Sequence, residues 1–207
     1  MARLNIAPTK SSLLLLKKQL AFAEEGYDLL EQKRQILIFE LMRRLNRARE
    51  VETGVAASLK QAYAALQGAM FDIGSSALDR AILAVRLDHE VDLSTQHLMG
   101  MRIPRLKVRA QACSAQFGVG GTSSRTDETM RRFVELLPLL AEYAELENAV
   151  LRLARELRRT QRRCNALSRI FIPEYRETIS YILGALEERE RESFVILKMI
   201  RDRLSGG

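Results

Sequence analysis

The sequence predicts a mainly α protein in which two long helices, one at each end of the chain, form an antiparallel left-handed coiled coil. A short helix, a β-hairpin and a loop fill the middle. Three observations lead there. Leu13, Leu16, Leu20, Ala23, Tyr27, Leu30, Leu37, Leu41, Ala48, Val51 and Val55 stand on one 3-4-3-4 ladder, with Arg34 and Arg44 on two rungs. Leu146, Val150, Leu153, Leu157, Thr160, Cys164, Leu167 and Phe171 form a second ladder near the other end. A 3.5-residue repeat keeps one seam turned toward a partner helix, so each ladder needs a companion along its length. Composition agrees: the 207 residues include no Trp, 4 Pro, 29% charged and 47% hydrophobic residues, the profile of long helices rather than of a thick core.

The first helix begins between Pro8 and Ser12, where Thr9 or Ser11 can cap free backbone N–H groups, and runs to Phe71 or Asp72. At 1.5 Å per residue that is roughly 90 Å. Gly26, Gly54 and Gly68 interrupt it, each costing about 1 kcal/mol relative to Ala. Asp72 to Ser76 is a break, and Ala77 to Leu87 reads as a short helix. The period then changes to alternation at Val91, Leu93, Thr95 and His97, followed by Met99-Gly100 and by Met101, Ile103, Leu106 and Val108. That is a β-hairpin over about 91–108 turning at Gly100, with Pro104 confining the return strand to an edge. Gln116 to Thr126 reads as a Gly/Ser loop. The last helix starts near Thr126, with Asp127 and Glu128 at the positive end of its dipole, and continues to Leu204. Pro138 and Pro173 lie inside it, and a kink is expected at each. The steps Leu167, Phe171, Tyr175, Ile179 are all of four, after which Ile182, Leu186, Ile196 and Ile200 resume the heptad spacing, so the phase slips beside Pro173. The expected division is 1–72, first long helix; 73–125, middle region; and 126–207, last long helix.

No run approaches the ~20 apolar residues of a membrane span, and Met1 to Lys10 lacks the apolar core of a leader, so a cytoplasmic protein is expected. Cys113 and Cys164 form no CxxC pair, which argues against a disulfide framework or a zinc site. No catalytic constellation is present. His89 and His97 have no HExxH context, and Gly118 to Thr122 lacks the GxxxxGK[ST] pattern of a phosphate cradle. No cofactor, metal or catalytic residue is therefore expected, and no nucleotide is expected to bind to this chain.

A net charge of +7 with a pI near 9.7 permits an acidic protein, nucleic acid or anionic lipid as partner and does not choose among them. If the two ends fold back on each other, Lys17 and Lys18 face Glu187, Glu188 and Glu190, a complementary clasp. In the same register Arg43, Arg44 and Arg47 come level with Arg158, Arg159, Arg162 and Arg163. Such a collar of like charges repels itself unless something acidic surrounds it. It reads either as a solvated face or as a docking surface. The hairpin likewise reads either as a tether or as a lateral contact knob.

With these residues laid out, the chain resembles the D subunit of the A-type and V-type ATPases, the central-stalk rotor component. The resemblance is carried by Pro8-Thr9-Lys10-Ser11 with Leu13 to Leu16, by Gly26-Tyr27-Asp28-Leu29-Leu30 with Lys33-Arg34, and by Arg162-Arg163-Cys164-Asn165-Ala166-Leu167 leading to Ile172-Pro173. Leu186 to Glu192 with Phe194 and Lys198, and Met99-Gly100 with Ile103 to Leu106, complete it. The chain departs from the family pattern at Glu31 and at Val195, Ile196 and Met199, where basic residues are usual, and at Cys164 and Ser168.

The resemblance implies a non-catalytic shaft inserted into a hexameric ring of alternating catalytic and non-catalytic nucleotide-binding subunits, A and B. It also implies a middle region that binds the small stalk component F and sits on a socket subunit (C/d) above the membrane rotor ring. ATP hydrolysis or synthesis in the ring is thereby coupled to proton or sodium translocation, with the shaft peripheral to the membrane and not a homo-oligomer. On that reading Arg43, Arg44, Arg47, Arg158, Arg159, Arg162 and Arg163 face the hexamer, and Val91, Leu93, Met99, Gly100, Met101 and Ile103 form the stalk-contact hairpin. A kink at Pro173 supplies asymmetry. The competing class is a self-associating basic coiled-coil scaffold on nucleic acid or anionic membrane. It predicts homodimers and binding that weakens steeply with salt. The unequal phase of the two ladders suits different helices pairing within one chain.

Overall fold

Thr9 starts the first helix as the sequence expects: its Oγ1 accepts the Ser12 N–H at 3.1 Å, occupying a donor that the first turn leaves free. The computed structural model describes residues 4–85, 89–109, 118 and 120–205. Within them run α1 (Lys10–Ile73), α2 (Ser75–Ala84), β1 (Glu90–Leu98), β2 (Met101–Arg109) and α3 (Ser124–Ala166). A π-helical turn (Leu167–Phe171) and α4 (Ile172–Ser205) follow. Cys113 and part of the expected Gly/Ser loop lie outside the described residues. The chain is mainly α, and it divides into two compact units, Met1–Ile36 with Leu157–Gly207, and Leu37–Glu156.

In the first unit, α1 and the last stretch of the chain run antiparallel. Lys10 pairs with Glu190 at 3.2 Å, Glu24 with Arg176 at 2.6 Å, and Arg34 donates to Gln161 at 3.0 Å. The clasp thus engages Lys10 in place of Lys17 and Lys18. Leu16 (1% exposed) and Ile182 (0%) pack with Ile179, flanked by Leu13, Leu20, Tyr175 and Leu186. Each such burial is worth about 1.5–3 kcal/mol. The segment before α1 folds back along α4: Leu4 and Ile6 cover the Leu16 cluster, the Leu4 N–H donates to Thr178 Oγ1 at 3.2 Å, and Arg189 donates to the Pro8 carbonyl at 2.8 Å.

The inward positions of the last stretch are Leu157, Thr160, Cys164, Leu167, Ile172, Tyr175, Ile179, Ile182 and Leu186. Every step is of three or four residues except Leu167 to Ile172. One residue is in excess there, and the π-helical turn absorbs it, with the Ile172 N–H donating to the Leu167 carbonyl five residues back. Phe171, expected on the seam, is therefore 43% exposed, and Ile172 takes its place at 9%. Ile196 and Ile200, expected to resume the seam, are exposed as well, because α1 reaches only as far as its first residue, Lys10, beside Glu190.

In the second unit the paired segments are again antiparallel, with Arg47 to Glu142 at 2.8 Å, Arg132 to Gln61 at 2.9 Å and Arg125 to Asp72 at 3.3 Å. Val51, Val55 and Leu136 form its core with Leu59, Phe133, Leu139, Tyr143 and Leu146 around them. Farther along α1 the buried positions shrink to Ala62 and Ala69, and Tyr63 meets Phe133 edge-on at 5.8 Å. Gly74, at φ 78°, ends α1 and lets α2 begin at once, which narrows the expected break to one residue.

The hairpin forms in the expected place. Leu98 pairs with Met101 across Met99 (φ 49°) and Gly100 (φ 78°), the two left-handed residues of a type I′ turn. Ile103 is buried, while Val91 (61% exposed) and Leu93 (65%) face solvent on the opposite side of the ribbon.

Candidate functional site

The expected collar falls into two groups with different electrostatics, one in each unit. In the second unit, Arg43 and Arg44 lie 3.9 and 2.9 Å from Glu40, and Arg47 reaches Glu142 at 2.8 Å and Glu50 at 3.2 Å. Each of these guanidinium groups has a carboxylate partner within its own unit, Arg43 and Arg44 sharing Glu40. The hydrogen bond to Glu142 also raises the Arg47 pKa further above its ordinary range.

In the first unit, Arg158, Arg159, Arg162 and Arg163 are exposed, and Arg158, Arg162 and Arg163 make no ion pair among the described residues. From Leu157 to Pro173 the chain carries five arginines and no Asp or Glu. At i, i+4 spacing on a helix, like charges cost a few tenths of a kcal/mol per pair. This stretch is a bare cationic face, and the sequence signal for it was the missing acid rather than the number of arginines.

Beside that stretch, the seam itself carries a polar layer. Arg34 Nε donates to Glu31 Oε2 at 2.8 Å, a second Arg34 nitrogen bonds Glu31 Oε1, and Gln161, held by Arg34, donates to Asn165 at 2.9 Å. The Arg34 hydrogen bond pulls the Glu31 pKa below its ordinary range. Buried Cys164 sits next to this layer, and desolvation pushes its thiol pKa up, the opposite of a reactive thiolate.

The end of α4 is the feature that sequence reasoning assigned to the seam and the structure leaves uncovered. Phe194, Val195, Ile196, Leu197, Met199, Ile200 and Leu204 are all exposed, Phe194 at 71%. Successive helical residues point about 100° apart, so four consecutive apolar residues look in four directions around the axis. Lys198, Arg201, Asp202 and Arg203 stand among the later apolar positions, but the run Phe194 to Leu197 leaves apolar surface on every side of its turn, which marks an interaction site.

The hairpin residues are also divided. Val91, Leu93, Met99 and Gly100 are exposed, Met101 is half-buried, and Ile103 is inside the unit. Its return strand is held by α3: the Leu106 N–H donates to Glu145 Oε2 at 2.9 Å, and Arg152 donates to the Arg102 carbonyl at 2.6 Å. A groove lined by Gln61, Gly68, Arg125, Glu128 and Arg132 has its charges internally matched through Arg132–Glu128, Arg132–Gln61 and Arg125–Asp72. Among the described residues no cluster of His, Cys, Asp or Glu is placed to hold a metal, and no helix is long and apolar enough to cross a membrane.

The sequence has known relatives. The family model for the ATP synthase D subunit matches residues 12–202. The chain belongs to the ATP synthase D-subunit family. It is 39% identical over 202 residues to the A-type ATP synthase D subunit of Methanosphaera stadtmanae, covering 96% of this chain and 94% of that one. It is 32% identical over 202 residues to the V-type ATP synthase D subunit of Thermotoga neapolitana, covering 98% and 100%. It is also 34% identical over 201 residues to the A-type ATP synthase D subunit of Pyrococcus abyssi, covering 96% and 94%. The family match includes the bare arginine stretch, the π-helical turn and nearly all of the uncovered apolar helix end.

Proposed function

We propose that this chain is the central rotor shaft of an A/V-type ATPase, a non-catalytic subunit that couples ATP hydrolysis or synthesis in a catalytic hexamer to proton or sodium translocation in a membrane sector. One observation carries the reading: α1 begins at Lys10 beside Glu190, and beyond that point α4 continues alone, with apolar Phe194 to Leu197 exposed on all sides of the helix and Met199, Ile200 and Leu204 exposed after them. A flat partner covers one stripe of a helix, whereas an enclosing socket covers all of it. A ring of alternating nucleotide-binding subunits, A and B, offers such a socket on its axis.

The remaining surfaces take matching roles. The paired helices supply torsional stiffness. The arginine collar faces the hexamer, with Arg158, Arg162 and Arg163 as its uncompensated members. The hairpin, through Val91, Leu93, Met99 and Gly100, meets the small stalk component F or the lower rim of the ring, and the middle region, 73–125, rests on the socket subunit (C/d) above the membrane rotor. The π-helical turn and Pro173 kink the last helix and make the shaft's faces unequal, so that chemically alike sites in the ring see different surfaces. The protein then works in the cytoplasm, peripheral to the membrane.

Recovery through a tag on this chain tests the proposal. One copy of the chain with three copies each of two large nucleotide-binding subunits is the expected result. A lone homodimer overturns it and favours a scaffold.

A further inference from the structure

The two edges of the hairpin are not alike. In a two-residue type I′ hairpin, Leu98 and Met101 exchange hydrogen bonds, and the pairing alternates from there. The N–H and C=O groups of Arg102, Leu106 and Val108 on β2, and the C=O of Pro104, therefore point away from β1. So do those of Val91, Leu93, Thr95 and His97 on β1, away from β2.

On β2 that outer edge is engaged at three points: Arg152 donates to the Arg102 carbonyl, Pro104 has no N–H to offer, and Glu145 accepts from the Leu106 N–H. Among the described residues nothing corresponds beyond Val91 to His97. No hydrogen bond among the described residues uses the outer backbone groups of those four residues, and every β1 residue before Leu98 is exposed. A regular strand of nine residues with no Pro, no Lys and no bulge is the kind of edge that proteins ordinarily block, because it templates pairing with another strand.

We infer that the free edge of β1 is a strand-addition site for an extended segment of a partner protein that alternates apolar and basic residues. The chemistry of the strand sets that description. One face of β1 presents exposed Val91 and Leu93, which call for apolar neighbours. The other presents Glu90 and Asp92, with Arg109 at 4.0 Å from Glu90 and Lys107 paired opposite Asp92 on the β2 side, which leaves the side at the free edge without a basic neighbour. Lysine or arginine beside them is favoured, and acid is repelled. Main-chain hydrogen bonds hold such a segment, and the alternating side chains select it. The inference rests on the hairpin's being a contact element, as proposed above, and adds the mode of contact.

Amide hydrogen exchange resolved by residue tests it, on the full chain alone and on the complex recovered through a tag on that chain. The outer amides of Leu93, Thr95 and His97 should exchange at least about tenfold more slowly in the complex, while the inner amides of Asp92, Ser94 and Gln96 are protected in both. Thr95→Pro, which repeats on β1 what Pro104 does directly opposite, removes an outer N–H without touching an inner bond. It should restore fast exchange at Leu93 and His97 in the complex.

Outer amides that exchange equally fast in both samples overturn the inference. If the nucleotide-binding subunits are present in that complex, the shaft reading stands. Protection that survives Thr95→Pro also overturns the inference, since the partner then touches side chains only. Protection in a sample holding only a second copy of this chain assigns the edge to self-pairing and overturns the partner. A chain recovered alone, monomeric and with fast outer amides counts against both readings.

Discussion

Replacing Pro173 by alanine separates two causes of the π-helical turn at Leu167–Phe171. Proline cannot donate to the preceding turn and crowds its carbonyl, at a cost of about 3 kcal/mol in a helix interior. The turn could therefore be the helix's accommodation of Pro173. Alternatively it takes up the extra residue between Leu167 and Ile172, without which the inward positions on both sides form one unbroken 3-4-3-4 series. If the helix reverted to a regular α form, everything after the turn would rotate by about 100°. Ile172, Ile179 and Ile182, at 9%, 9% and 0% exposure, would leave the seam. At about 2 kcal/mol each, their loss amounts to roughly 6 kcal/mol, more than removing the proline can return. Pro173→Ala should therefore keep the π-helical turn and leave Ile172 buried, as read from backbone chemical shifts and a crystal structure of the variant. Deleting Ile170 as well should give a continuous α-helix with urea stability no lower than that of Pro173→Ala. A regular α-helix through 167–175 in Pro173→Ala alone, with the downstream seam rotated, refutes the reasoning.

Ile196→Asp with Ile200→Asp places charge on the uncovered end of α4 and removes no internal packing. The melting temperature of the isolated chain should move by less than about 2 °C, within the usual range for surface changes, while assembly with the nucleotide-binding subunits falls at least about tenfold in native mass spectrometry. Arg158→Glu with Arg162→Glu should lower ATPase turnover of the assembled complex more than Arg43→Glu with Arg47→Glu, because only the second pair has carboxylates of its own; equal losses would remove the distinction. Because the Glu31 pKa lies below its ordinary range, the Glu31–Arg34 bond supports the fold fully above the unfolded carboxylate pKa and loses that support as pH falls through the folded one. Acid unfolding of Glu31→Gln, followed by circular dichroism, should accordingly be shallower below about pH 4.

Both long helices, the Thr9 cap, the hairpin and its turn were legible because each rests on local information: an apolar period, a hydroxyl before a helix, a Met-Gly pair between alternating runs. The seam was legible as far as Leu167. Beyond it, Phe171 and Tyr175 offered a series of fours that a sequence cannot distinguish from one added residue, and only the inward position of Ile172 decides between them. The end of α4 was misread for a related reason. Ile196 and Ile200 keep heptad spacing, but the partner helix stops at Lys10, and a period does not report where its companion ends. The arginines were visible as a group, yet their difference depends on Glu40 and Glu142, one a helical turn away and the other distant in sequence. The open edge of β1 could not be read at all, since it follows from which hydrogen bonds α3 closes on β2.

The reversed course of residues 4–9 decides where attachments can go. Leu4 lies at the level of Thr178 and Lys10 at that of Glu190, so Leu4 sits roughly 24 Å back along α4 from Phe194, where the apolar run begins. A fluorophore or bead linker fused ahead of Leu4 leaves the molecule alongside the helices, clear of any socket that swallows Phe194 to Leu204. Where the proposed socket encloses Phe194 to Leu204, the same group fused after Ser205 would have to be threaded through it, so the proposal expects assembly to tolerate a fusion ahead of Leu4 and to be lost with one after Ser205.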